Sequence, residues 1–133
     1  MTIRLTAAHT ALALAGVLSF AATSALAAAP ARDNCFLSAN WEGWKSPDPN
    51  VIYLKVGVGD VFRLDLAAPS SQLQEPDVHL VSQVRGSDWI CSPVDLDLQL
   101  SDNNGGFREP LFVKSMTRLT PDEISAIPPK FRP

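Results

Sequence analysis

The sequence predicts a mainly β domain: a small antiparallel barrel or sandwich with a short C-terminal helical turn, preceded by a signal peptide. Three observations lead there. About six short segments are rich in β-branched and aromatic residues and are separated by turn signals at regular intervals. Several of them alternate apolar and polar residues with period two, the mark of half-buried antiparallel strands. Eleven prolines, none before Pro30, punctuate the remainder.

The leader comes first. Arg4 precedes an apolar run from Ala11 to Leu18, which continues past Ser19 as Phe20-Ala21-Ala22 and ends at Ala25-Leu26-Ala27. A positive charge, a short apolar stretch and a small-x-small site, in that order, form a secretory signal cleaved after Ala27. The run is Ala-rich and no basic cluster follows, so no stable membrane span is expected after cleavage. Residues 28–133 then make a single small β domain, enough chain to bury one core without a metal.

Residues 35–39 are a short apolar segment. The polar stretch 42–50, with Gly43, Pro47 and Pro49, reads as a turn region. Residues 51–56 read as a strand, 57–60 as a tight connection and 61–66 as its hairpin partner. Phe62, Leu64 and Leu66 share one face of that partner; Arg63 and Asp65 take the other and are expected to be wet. A loop covers 67–76. Residues 78–84 resume the strand pattern, 85–88 turn, and 89–91 start a strand that Pro93 interrupts. Residues 94–100 alternate without a fault. Val94, Leu96, Leu98 and Leu100 should face the core, and Asp95, Asp97 and Gln99 water. The richest turn signal is 101–106, and 111–119 is a last strand. Thr120, Pro121 and Glu123 compose a capping box for a helical turn over 124–127, which Pro128-Pro129 ends. The tail 130–133 is expected to be loose.

Loss of the leader removes only Arg4 from the 11 Lys+Arg and nothing from the 14 Asp+Glu. The mild, well-mixed acidity suits a soluble protein and argues against nucleic acid, whose phosphates select basic clusters. Cys35 and Cys91 are the two cysteines. In an oxidising compartment an even count reads as a disulfide; two free buried thiols are the alternative. The bridge would close a loop of about 56 residues and contribute on the order of 3–4 kcal/mol. Two cysteines and one histidine outside the leader do not make a tetrahedral set, so neither metal nor cofactor is expected.

That histidine, His79, lies between Val78 and Leu80 and points away from the face they share. A solvated strand residue and a general base are the two readings. The first is preferred, because there is no Gly-x-Ser-x-Gly elbow, and Gly57-Val58-Gly59 leads into a strand rather than a helix. Asp95, Asp97 and Asp102 offer oxygens to a hard cation, but their spacing is not a calcium loop and a wet strand face needs the same residues. Trp41, Trp44 and Trp89 are a possible ligand surface, flat platforms for a sugar or peptide; alternatively they close one end of the domain. No catalytic residue is assigned.

With Cys35-Phe36 and Ile90-Cys91 followed by Asp95, the chain resembles a family of small exported proteobacterial proteins of unknown function. Leu119-Thr120-Pro121-Asp122-Glu123 is similar to that family's closing strand and helix start. The resemblance implies a periplasmic β domain, and supplies no activity, ligand or catalytic residue. Members often carry a second cysteine pair. Here Pro69-Ser70-Ser71 and Pro110-Leu111-Phe112 stand near those places, which implies that Cys35–Cys91 is the surviving bridge.

The functional expectation is a periplasmic or secreted, non-enzymatic protein that contacts a periplasmic protein or a small ligand. Strand addition at a sheet edge is one route. A small-ligand or glycan site at the Trp41/Trp44 end is the alternative, and a hydrolase centred on His79 the third class. Tryptophans lining an open pocket would favour the ligand site; a polar pocket at His79 would favour the enzyme. Intact-mass analysis of the exported protein should give a chain beginning at Ala28; a chain retaining Met1 to Ala27 in a membrane fraction would contradict the leader.

Overall fold

In the computed structural model, residues 34–83 and 86–133 are described; the leader and its cleavage site lie outside the described residues. The 51–56 and 61–66 segments pair as expected. Strands β3 (Val51–Val56) and β4 (Asp60–Leu66) form an antiparallel hairpin in unbroken register, Val56 opposite Asp60 and Val51 opposite Asp65. Gly57, at φ +56°, opens the connection in a conformation that side chains resist. The hairpin is flanked by β2 (Trp41–Asp48) on one side and β9 (Val113–Arg118) on the other, giving a four-stranded sheet in the order β2-β3-β4-β9.

The second sheet has three strands: β5 (Val78–Ser82), β7 (Leu98–Asp102) and β8 (Arg108–Leu111), with β7 central. Two shorter strands, β1 (Phe36–Leu37) and β6 (Trp89–Ile90), pair with each other. The sheets do not close into a barrel. They pack as a sandwich around one core, in which Ile52, Leu54, Phe62 and Leu64 join Leu98, Leu100, Leu111, Phe36 and Ile90. The alternation predicted for 61–66 holds: Leu64 and Leu66 are buried, and Arg63 and Asp65 lie half-exposed on the opposite face. Their ion pair is 2.8 Å. The outer face of the larger sheet is partly covered by helix α1 (Pro121–Ala126) and by Ile127, which is buried. The capping box forms as expected. Thr120 Oγ1 accepts from the Glu123 N–H, and the Glu123 carboxylate accepts from the Thr120 N–H.

Four expectations are corrected. The stretch 42–50 is not a turn region, because β2 occupies most of it. Gly43 and Pro47 are tolerated since β2 is an edge strand with register shifts at both places, and an edge proline needs no ladder donor. The turn itself is Pro49-Asn50, held by the Asn50 N–H donating to Asp48 Oδ1 at 2.8 Å.

The faultless alternation of 94–100 is not one strand. Pro93–Asp95 is a 3-10 turn, and Asp97 takes φ +34°, which breaks the pleat. Val94 is therefore 88 % exposed, whereas Leu96, Leu98 and Leu100 are buried. Asp95 and Asp97 are intermediate in exposure, like Arg63 and Asp65.

The strand expected over 111–119 is split at Phe112, which is 71 % exposed. There the chain leaves the three-stranded sheet as β8 and enters the four-stranded sheet as β9. The Phe112 carbonyl accepts from the Ala67 N–H at 2.8 Å. Lastly, the tail is anchored. Pro129–Phe131 forms a 3-10 turn against β2, and the Arg132 guanidinium donates to the carbonyls of Ser125 and Ile127.

The predicted disulfide is present. Phe36 pairs with Ile90 and Leu37 with Trp89; one rung further, Cys35 and Cys91 are bonded, their Cα atoms 4.1 Å apart. On the other side the Ser38 N–H donates to the Asp88 carbonyl at 2.9 Å.

Leu96→Ala should cost about 2–5 kcal/mol in urea denaturation, and Val94→Ala no more than about 0.5 kcal/mol. Equal effects would contradict the turn at Pro93–Asp95. Reduction of Cys35–Cys91 should lower stability by about 3–4 kcal/mol and leave the spectrum of the folded state unchanged under native conditions.

Candidate functional site

A bulge decides where the tryptophans go. Trp41 and Trp44 are three residues apart, which on a regular strand would set them on opposite faces. The register slips between Trp41 and Gly43, so that Trp41 lies opposite Val56 and Trp44 opposite Leu54. Both rings thus turn to the core side, where each is half-buried against the cluster. Glu42 is left outside, paired with Lys55 at 3.0 Å. The Trp41 indole N–H donates to the Gly43 carbonyl at 3.2 Å, within its own strand.

Trp44 differs from Trp41 in what lies beside it. At the open seam of the sandwich, between β2 and the start of β5, it lines a groove of about 440 Å³. Leu73, Val78 and Phe131 supply further apolar wall, and Lys45, Gln74 and Lys130 polar groups. The Lys130 ammonium stands 4.4 Å from the centre of the Phe131 ring. Gln74 donates to Ser46 Oγ at 3.2 Å, tying the 3-10 turn Ser71–Gln74 to the strand. Trp89, 53 % exposed on β6, does not line this groove, so the three tryptophans do not act as one surface.

His79 lies exposed on the outer face of the three-stranded sheet, as its place between Val78 and Leu80 predicts. The register adds what the sequence did not reveal. His79 stands opposite Ser101, and Ser101 opposite Arg108, so the three form one cross-strand row. They line a hollow of about 290 Å³ together with Gln83, Gln99 and Asn103. Ser101 is 6 % exposed, and its hydroxyl donates to the Asp102 carbonyl at 3.3 Å rather than being held toward His79. Asp102 Oδ1 accepts from the Phe107 N–H and closes the turn before β8.

Two of the three aspartates weighed as cation ligands, Asp95 and Asp102, accept from nearby backbone N–H groups. Asp95 Oδ2 accepts from the Ser92 hydroxyl at 2.8 Å, the Ser92 N–H at 2.9 Å and the Cys91 N–H at 3.1 Å. The Ser92 hydroxyl, followed by the Cys91 N–H, holds its carboxyl below the ordinary carboxylate value. Asp65 is also lowered. Burial pushes it up, but hydrogen bonds from Arg63 and Ser115 outweigh that. Among the described residues no three His, Cys, Asp or Glu side chains converge as a metal site. None of the described helices is long and apolar enough to cross a membrane.

Sequence reasoning missed Arg108, Ser101, Leu73 and Phe131. Each reaches its hollow through pairing or packing between distant segments, and no local motif marks any of them. No protein-family model, curated protein or solved structure matches the chain.

Asp95→Ala should destabilise the protein by about 0.5–2 kcal/mol near neutrality, as loss of a cap does. The folded carboxyl titrates below its unfolded value, so the contribution is complete above about pH 4 and fades as pH falls through the lower folded value. The gap between wild type and variant should therefore narrow as pH falls below about 4, measured by denaturant titration at each pH. A gap independent of pH would contradict the cap.

Proposed function

We propose that this chain is an exported, disulfide-pinned β protein of the periplasm or cell exterior that acts by binding, with the Trp44 groove as its ligand site. The leader order around Arg4 and Ala25-Leu26-Ala27 supports export, and the Cys35–Cys91 bond fits an oxidising compartment. The observation that carries the ligand site is the groove itself. The flat ring of Trp44 on an edge strand, backed by the core, faced by Phe131 from the C-terminal turn and flanked by Lys45, Gln74 and Lys130, combines apolar area with orienting polar groups. A short glycan suits that lining: the apolar face of a sugar ring packs on an indole, and its hydroxyls take the amide and ammonium groups.

Strand addition on the four-stranded sheet is less well supported. Its β2 edge carries Pro47 and is packed by the turns Ser71–Gln74 and Pro129–Phe131. On its β9 edge, the Asn34 amide donates to the Met116 carbonyl and accepts from the Arg118 N–H, both at 3.0 Å, in place of a neighbouring strand.

Titration of the purified protein with chitotriose and cellotetraose, followed by tryptophan fluorescence, tests the site. At least one should give a saturable change. Trp44→Ala should weaken it by at least about tenfold, the share of a buried aromatic anchor, and Trp89→Ala should leave it unaltered. A silent titration with both sugars, or full affinity in Trp44→Ala, removes the groove as the site.

A further inference from the structure

The hollow on the outer face of the three-stranded sheet is separate from the Trp44 groove and lies on the other side of β5. We propose that it is a second site, for a small hydroxylated organic acid such as a sugar acid. The single observation behind this is the row His79, Ser101, Arg108, which pairing assembles from three strands.

The row has a shape and a charge. Ser101 is the smallest of the three and stands in the middle, so two longer side chains flank a low floor. Neighbouring strands are about 4.8 Å apart, which leaves His79 and Arg108 roughly 10 Å apart at their backbones. A guanidinium is long enough to lean over that floor and presents a fork of donors that matches a carboxylate. Among the described residues Arg108 has no ion-pair partner, and Asp102, the carboxylate in the lining, accepts from the Phe107 N–H through Oδ1 at 3.2 Å. The imidazole of His79 faces the same space from the opposite strand and can donate to the same oxyanion.

The rest of the lining selects for hydroxyls. The Gln83, Gln99 and Asn103 amides each carry a donor and an acceptor, and none is spent in a side-chain hydrogen bond with a described residue. Together they suit several donating and accepting groups spread around a ring, which a compact inorganic anion does not present. Ser101 contributes room rather than a donor, because its hydroxyl is already directed to the Asp102 carbonyl.

Isothermal titration of the purified protein with D-galacturonate, D-galactose and inorganic phosphate tests the proposal. Galacturonate should bind saturably and at least about tenfold more tightly than either galactose, which lacks the charge, or phosphate, which lacks the ring hydroxyls. Arg108→Gln, a change at an exposed position, should weaken galacturonate by at least about tenfold, and His79→Ala by a smaller factor. Ser101→Val, which fills the floor, should weaken it in protein whose circular dichroism is unaltered. Trp44→Ala should leave it intact, so that failure of the groove and failure of the hollow are read separately. Galactose or phosphate binding as tightly as galacturonate, no saturable binding, or full affinity in Arg108→Gln would overturn the assignment.

Discussion

Everything in this fold leans on one shared apolar layer. The inner faces of two sheets, Ile52, Leu54, Phe62 and Leu64 from one and Leu98, Leu100 and Leu111 from the other, form a single cluster with Phe36, Leu73, Ile90 and Leu96. A chain of this size has no second core to fall back on. The irregular features are consistent with serving that layer. The slip in β2 brings two indoles to it, the turn at Pro93–Asp95 delivers Leu96 but not Val94, and the bend at Phe112 lets adjacent strands feed opposite sheets.

The disulfide works at the weakest part of this arrangement. A ladder of two residues per strand is too short to be stable alone. Cys35–Cys91 extends it by one covalent rung, and Asp95 gathers the Cys91 and Ser92 backbone donors just beyond. Phe36 is thereby held in the core, with its ring centre 4.8 Å from that of Phe62. The N-terminal segment also guards β9 through Asn34, so one short stretch both completes the core and blunts a sheet edge.

Both hollows arise where the two sheets stop covering each other or themselves. The groove at Trp44 is the unsealed seam of the sandwich, walled by a tail that the terminal prolines and Arg132 hold in place. The hollow at His79 exists because a small residue occupies the central strand between two large ones. Neither needs a special backbone; each is a consequence of which side chains pairing sets side by side.

Local chemistry was enough for several parts of this protein. Period-two alternation located the β3–β4 hairpin and its buried face, because a half-buried strand must alternate. The Thr120 capping box was legible, since its partners are three residues apart. The Cys35–Cys91 pair followed from a count of two. Other parts depended on contacts between segments far apart in the chain. The polar stretch 42–50 became a strand because β3 offered a partner and an edge position excuses Gly43 and Pro47. The alternation of 94–100 misled at Val94 because Pro93–Asp95 is a 3-10 turn, which period alone does not reveal. Arg108 joined His79 only through the β7 register, a relation between residues 29 positions apart that no local pattern encodes. Short-range patterns say which faces are apolar; only the packed sheets decide which faces meet, and therefore where a surface is left open.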